Sequence, residues 1–190
     1  MRRADFAQLL IRATKWHLRV QCVSSGEWVD MLFPDLPGEW STSLIDSNRV
    51  DRLDFLKSAD TIWLMLDGRE LLQPQKRQHA LHRAKLLMLR LATFLRLRMP
   101  PVVLVISHRD SGMPSAATLS DLAREAERLG ITMKIIHIAS FSSSEKTPPG
   151  TGIADLISCS VEDSSENPPF WPDSLPRREA RAMLNFRVQG

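Results

Sequence analysis

The 190-residue chain is 43% apolar and 25% charged, which is enough apolar material for one packed domain and disfavours global disorder. Its net charge of +3 is too small to indicate nucleic acid by itself, and no run of about 18 apolar residues predicts a membrane-spanning helix. The two cysteines stand far apart and outside any CxxC pattern. A disulfide framework or zinc site is therefore disfavoured, and the expected compartment is a reducing cytoplasm.

The first part of the chain predicts a helix, a hairpin, a second helix and a buried strand. Apolar residues on one side predict a short helix over Asp5–Ala13. The alternating segment His17–Val23 and the apolar segment Trp28–Phe33 are separated by a short turn, which predicts two antiparallel strands. Helical spacing returns over Arg49–Ala59, and Thr61–Leu66 is a nearly continuous apolar run, typical of a strand covered on both faces.

The middle of the chain alternates between helical patterns and buried strands. Helices are predicted over Gln75–Arg98 and Ala117–Gly130, and strands over Pro100–Ser107 and Ile131–Ser140. This alternation predicts an α/β sheet with right-handed crossovers. The segment 153–161 fits either a short helix or a strand. We expect one domain over residues 1–160 and a partly irregular extension, rich in Pro, Ser and acidic residues, over 161–190.

Polar residues follow three of the predicted strands, at the ends where ligands bind in open α/β sheets. They are DLPGE from Asp35 to Glu39, SHRD from Ser107 to Asp110, and the pair Ala139-Ser140. Simpler interpretations stay open for two of them. DLPGE also fits a Pro-Gly turn with solvated acids, and Asp110 also fits a loop cap.

In their order and spacing, DLPG and SHRD resemble the motifs of the P-loop GTPases of the translation-factor-related class, which include Ras. The resemblance is closest to the bacterial double-GTPase group and covers Leu18 to Ile157. It implies an α/β fold with a Ras-like three-layer sheet, mostly parallel with one antiparallel hairpin. The same resemblance implies that the family's first strand and phosphate loop are missing here.

At the phosphate end, the resemblance assigns roles to three residues of the DLPGE turn. Asp35 would hold Mg²⁺ through water, and a carboxylate is the hard oxygen ligand that Mg²⁺ prefers. The N–H of Gly38 would meet the γ-phosphate, which the absence of a Cβ allows to come close. Glu39 would orient the attacking water and is the catalytic candidate.

At the base end, the resemblance assigns nucleotide binding to five residues. Asp110 would accept two hydrogen bonds from guanine, because a carboxylate can receive the ring N–H and the exocyclic NH₂ together. Ser107 and His108 stand in the same motif, where the family has Asn or Thr and Lys. Ala139 and Ser140 fall where a backbone N–H contacts the guanine O6.

No GxxxxGK[ST] motif occurs in the 190 residues. The resemblance implies that they begin after the place of the family's first strand. The resemblance makes GTP or GDP with Mg²⁺ the expected ligand class. Because the phosphate loop is missing, we expect this chain alone neither to bind nor to hydrolyse the nucleotide. Three hypotheses stay open. The chain is a pseudo-GTPase that acts as an interaction or regulatory subunit, part of a split or truncated GTP hydrolase whose P-loop comes from elsewhere, or a basic module for nucleic acid or another partner.

Two further expectations concern partners. If the family's first strand is missing, a strand position is left open between Ile62–Leu66 and Val102–Ile106, and we expect that position to be closed. Either the two strands collapse together, or a strand from another segment of the chain, a partner protein or a second copy fills it. The helical region 69–98 is strongly basic, with a single acid at Glu70. That region fits a binding ridge for nucleic acid, acidic lipid or an acidic partner, or else an ordinary solvated helix face.

Overall fold

The strands form two sheets in the computed structural model, which describes residues 14–21, 26, 28–36, 42, 44–45 and 53–162. Strands β1 (Thr14–Gln21) and β2 (Trp28–Asp35) pair as an antiparallel hairpin. Strands β3 (Ile62–Leu66), β4 (Val102–Ile106) and β5 (Met133–His137) form a parallel sheet in the order β3-β4-β5. The mixed α/β class, with a parallel sheet and one antiparallel hairpin, is confirmed.

Four helices connect or follow the strands of the parallel sheet. They are α1 (Gly68–Leu72), α2 (Pro74–Phe94), α3 (Ala116–Arg128) and α4 (Ile153–Glu162). Local chemistry fixes their starts, since Pro is suited to the first helical turn and Ser to a cap. Pro74 opens α2, and the Ser115 side chain accepts a hydrogen bond from the Thr118 N–H at the start of α3. The segment 153–161, which fitted either a helix or a strand in the sequence, lies in helix α4.

Two predicted helices differ from the structure. The long helix ends at Phe94 rather than Arg98, because the chain turns at Leu95, whose carbonyl accepts from the Arg98 N–H. The predicted helix Arg49–Ala59 is, in its described part, the 3-10 turn Asp54–Ser58. The predicted helix Asp5–Ala13 and the extension beyond residue 162 lie outside the described residues.

The core is divided by the parallel sheet into two layers. Helices α2 and α3 pack on one face, where Met88 and Leu122 are fully buried against Leu104. Helix α4 covers the other face, where Leu156 packs with Val103 and Val105. All five residues of β4 are buried, because β4 has a strand on each side and helices on both faces. The carboxyl end of this central strand is therefore held rigidly.

The position expected to be open between β3 and β4 is closed by the first of the predicted alternatives, direct pairing of the two strands. The two strands pair directly and in parallel, with Ile62 opposite Val102 and Leu66 opposite Ile106. The physical reason is that an open position would leave the facing backbone N–H and C=O groups of both strands unpaired, and direct pairing satisfies them. A strand donated at that position is therefore ruled out.

The hairpin lies beside β3 without joining its ladder. Within the described residues, β3 has β4 on one side and no strand on the other. The Phe33 ring on β2 and the Trp63 ring on β3 contact each other with their centres 4.7 Å apart. Side-chain packing therefore joins the two sheets. No helix in the described ranges is long and apolar enough to cross a membrane.

Candidate functional site at the carboxyl ends of β3, β4 and β5

The carboxyl ends of the three parallel strands lie level with one another. Leu66, Ile106 and His137 are register partners across the sheet. The residues that follow them, beginning with Asp67, Ser107 and Ile138, therefore gather at one edge of the sheet. Ligands bind at this edge in open α/β sheets.

The turn that follows β4 is tied to both neighbouring strands. The Ser107 N–H donates to the Leu66 carbonyl at 2.9 Å, and the Ser107 Oγ donates to the same oxygen at 3.2 Å. On the other side, the Arg109 N–H donates to the Ile138 carbonyl at 3.0 Å. His108 adopts a left-handed conformation with φ 56° and ψ 42°, which is uncommon for a residue with a side chain. Such a conformation persists where surrounding bonds hold it, as they do here.

An ionic cluster stands beside this turn. Asp67 caps α1 and is clamped by Arg69, whose N–H and Nε reach Oδ1 at 2.9 and 3.2 Å and whose Nη2 reaches Oδ2 at 2.8 Å. His108 Nδ1 lies 3.2 Å from Asp67 Oδ1 and 2.8 Å from Ser107 Oγ. Because Ser107 Oγ donates to Leu66, we assign Nδ1–H as the donor in both contacts. The Arg69 side chain is the main reason that the pKa of Asp67 is lowered, against an opposing effect of burial.

Asp110 presents a buried acceptor that no described group satisfies. Its Oδ1 is shielded from solvent and has no hydrogen-bond partner. A buried acceptor without a donor costs about 1–3 kcal/mol, and more when it is charged. A ligand that brings N–H donors to this oxygen would remove that cost.

His137, at the end of β5, carries a second polar atom of this kind. Its Nδ1 is buried and has no hydrogen-bond partner in the described chain. Burial first, and then the charge of Arg109, lower the pKa of His137 below its ordinary value. The His137 imidazole is therefore harder to protonate in the folded protein than in water.

Two glycines let helices approach these strand ends. A Cβ on Gly68 would lie 2.2 Å from the Ser107 carbonyl oxygen, and a Cβ on Gly152 would lie 2.2 Å from the His137 carbonyl oxygen. Gly152 also has φ +80°, a conformation that favours glycine. The starts of α1 and α4 can therefore pack directly on the ends of β4 and β5.

The structure places the residues proposed for the base end at the same edge of the sheet. One of them, Ala139, has a backbone N–H that is already engaged in a hydrogen bond. Ser107, His108 and Asp110 form the turn after β4, and Ala139 and Ser140 follow β5. The Ala139 N–H already donates to the Thr151 carbonyl at 3.0 Å. In the described chain, no hydrogen bond engages the Ser140 N–H, which leaves Ser140 as the better candidate for a ligand contact.

The residues proposed for the phosphate end are largely outside the described residues. Asp35 is the last residue of β2, and its backbone alone is described. Gly38 and Glu39 lie outside the described part of the chain. The roles proposed for these three residues stay predictions.

Sequence reasoning missed Asp67 and its clamp by Arg69. A signal was present, because Asp67 is an acid that directly follows the apolar strand β3. Its partner His108 could not be found from the sequence, since their contact depends on β3 and β4 being neighbours.

Comparison with known families decides the family of the chain. The model of the family Double-GTPase 2 matches residues 8–162. The chain belongs to this family. No curated protein matches it. Membership in Double-GTPase 2 supports a GTPase-related domain and points to GTP or GDP as the ligand class to compare with the site.

In this Double-GTPase 2 chain, Asp110 carries an acceptor of the kind that a guanine edge requires. Guanine offers a ring N–H and an exocyclic NH₂ on one edge, and the orphaned Oδ1 of Asp110 is an acceptor that lacks a donor. Ser107 and His108 hold the turn that carries Asp110, through their bonds to Leu66 and Asp67. The nucleotide-binding roles predicted for Ser107, His108 and Asp110 stay predictions.

Proposed function

We propose that this chain is a pseudo-GTPase that binds the base of a guanine nucleotide and serves as an interaction or regulatory subunit. The observation that carries the base-binding part is the buried, unsatisfied Oδ1 of Asp110 at the carboxyl end of β4. Ser107, His108 and Ser140 would complete the base end. At the phosphate end, Asp35 would act on Mg²⁺, Gly38 on the γ-phosphate and Glu39 on water.

The chain alone is proposed not to hydrolyse GTP. Its 190 residues contain no GxxxxGK[ST] segment. Phosphoryl transfer depends almost entirely on positioning and on charge stabilisation by that loop, its lysine and Mg²⁺. Steady GTP turnover above the buffer background, abolished by Asp35→Ala, would contradict this part of the proposal.

Base preference provides the direct test of the site. We expect guanosine and GDP to cause saturable NMR shifts that adenosine and ADP do not cause. Asp110→Asn should weaken guanine binding about tenfold or more and favour xanthine, because the amide replaces one acceptor by a donor. Asp155→Asn, at an exposed position on α4, is the matched control and should change nothing. A base preference that survives Asp110→Asn would refute the assignment.

The second candidate is a nucleotide site completed by another polypeptide, and the open edge of β3 favours it. The Ile62 N–H points toward β4, so by alternation the backbone groups of Trp63 and Met65 point away from β4. Met65 is 54% exposed although β3 is apolar throughout. A strand from a partner protein or a second copy would pair along this edge, on the side of β3 remote from β4.

Met65→Pro separates this candidate from the first. Proline at an open-edge position removes an N–H that β4 does not use, so the isolated chain should tolerate it better than a central strand would. A strand-donating complex should dissociate, as measured by sedimentation equilibrium. An association state unchanged by Met65→Pro would count against a donated strand. Base preference at Asp110 would be unaffected either way.

A further inference from the structure

One side of α2 carries three cations in a row, which we call the basic ridge: Lys76, Arg83 and Arg90. They are seven residues apart, so they lie about 10.5 Å from one another along the helix axis. Leu87 and Phe94 fall within the same sector of the helix, about 60° wide. The helix contains no acidic residue over its whole length, Pro74–Phe94.

Two cations that neighbour the ridge on α2 have partners, and the ridge cations have none within the described residues. Lys85, on the opposite side of the buried stripe of α2, pairs with Asp121 on α3 at 2.7 Å. Arg77 donates to the Leu71 carbonyl at 2.8 Å. Across the described residues, the side chains of Lys76, Arg83 and Arg90 make no ion pair or hydrogen bond. Within the described part of the chain, the ridge therefore contributes no ion pair to the fold.

The burial of the ridge is unlike that of a solvated helix face. Arg83 and Arg90 are partly buried, and the Nε of Arg90 is fully shielded from water without an acceptor. A guanidinium N–H in that state has lost its water and gained nothing in return. A carboxylate placed over Arg90 would give its guanidinium an acceptor, in the paired geometry that arginine favours, once the side chain turns and uncovers Nε.

We propose that the basic ridge binds an acidic helix of a partner protein. Two helices packed side by side repeat their contacts about every seven residues, which is the spacing of the three cations. Carboxylates at that interval would meet Lys76, Arg83 and Arg90 in turn. Leu87, which is partly buried, offers apolar contact between Arg83 and Arg90.

Nucleic acid fits the ridge less well. Phosphates on one strand of a duplex follow each other every 3.4 Å or so along the axis, far more closely than the ridge cations. Bases would also require aromatic surfaces for stacking. Phe94 is the one aromatic residue of α2, and its ring already carries the Lys57 ammonium 5.0 Å from its centre.

Two stapled helical peptides of equal composition provide the probes. In the first, glutamates recur at every seventh position on an alanine- and leucine-containing helix. In the second, the same glutamates are gathered at one end. A mixed-sequence DNA duplex is the third probe. We expect calorimetry at low salt to show binding of the first peptide, and weaker binding of the other two.

Charge-neutralising variants locate the binding. The triple change Lys76→Gln, Arg83→Gln and Arg90→Gln should weaken binding of the first peptide by about tenfold or more, since it removes three charge-assisted contacts. The control variant removes three exposed cations elsewhere: Arg96→Gln, Arg124→Gln and Lys146→Gln. It changes net charge equally and should alter the affinity by about twofold at most. Urea unfolding of both variants verifies that they are folded.

Several results would overturn the proposal. These are no binding of the first peptide by the wild type, equal binding of both peptides, equal losses in the ridge and control variants, and preferred binding of the duplex. The acidic helix would be the partner in the proposed interaction role, so this inference rests on that proposed function. The ridge that binds it is separate from the nucleotide site. Asp110→Asn should therefore leave peptide binding unchanged, so that failure of one proposal does not count against the other.

Discussion

Replacing Gly68 with alanine sets two opposite effects against each other. Alanine is a better helix former, which favours the variant by about 0.5–1 kcal/mol. The added Cβ, however, would lie 2.2 Å from the Ser107 carbonyl oxygen and 3.2 Å from Ile106 Cγ2. Real Cβ atoms essentially never come within 3.0 Å of such a neighbour, so about 0.8 Å of movement is required.

The steric effect should prevail. The obstructing atom belongs to the backbone, at the end of a strand buried on both faces, so it cannot rotate away. Overpacking of this kind costs about 1–3 kcal/mol, which leaves a net loss of about 1–2 kcal/mol in the free energy of unfolding. Movement of Ser107 would also disturb its bonds to Leu66 and His108.

Urea unfolding measures the loss, and the NMR signals of the His108 ring report the disturbance of the turn. Gly130→Ala is the matched control, because Gly130 has φ +68° and nothing within 4 Å of its added Cβ. That variant should lose about 1 kcal/mol through backbone strain alone and leave His108 unchanged. If Gly68→Ala were as stable as the wild type, with unshifted His108 signals, the close approach of α1 to β4 would be wrong.

Two further predictions concern His137 and Trp63. The lowered pKa of His137 means that the unfolded chain binds this proton more readily, so stability should fall as the pH drops through 6.5 toward the folded pKa. In pH-dependent urea unfolding, His137→Gln should flatten this fall and His79→Gln should not, and equal slopes would contradict the assignment. The Trp63 Nε1 donates to Ser160 Oγ at 2.8 Å, so a double-mutant cycle with Trp63→Phe and Ser160→Ala should show coupling of about 0.5–1.5 kcal/mol. Strictly additive losses would show that this bond does not contribute to stability.

Much of the fold could be predicted from hydrophobic periodicity. The run VVLVI of β4 is apolar at every position because both of its faces are covered, and that pattern has few other interpretations. The end of α2 was harder, since Leu95 continues the apolar stripe and is buried although it lies in the turn after the helix. Periodicity indicates which side is buried, but it does not indicate where the backbone leaves the helix.

Prediction of the site was limited by contacts between distant segments. SHRD and Ala139-Ser140 could be placed, because each follows a strand whose carboxyl end is evident from the sequence. The Asp67–His108 contact joins residues that follow two strands, whose direct pairing was one of several alternatives left open by the sequence. The left-handed conformation of His108 also could not be predicted from the sequence. Residues with a side chain seldom adopt it, and here the hydrogen bonds of the neighbouring residues impose it.

The side-chain attachment of the hairpin affects how the protein can open. A two-stranded hairpin is marginally stable by itself, and no backbone ladder joins β2 to β3 in the described chain. The hairpin can therefore detach as a local unit while the hydrogen bonds of β3, β4 and β5 stay intact. Such an opening would part the Phe33 and Trp63 rings and widen access to the free edge of β3. Entry of another strand would then cost the small free energy of releasing a hairpin, far less than global unfolding.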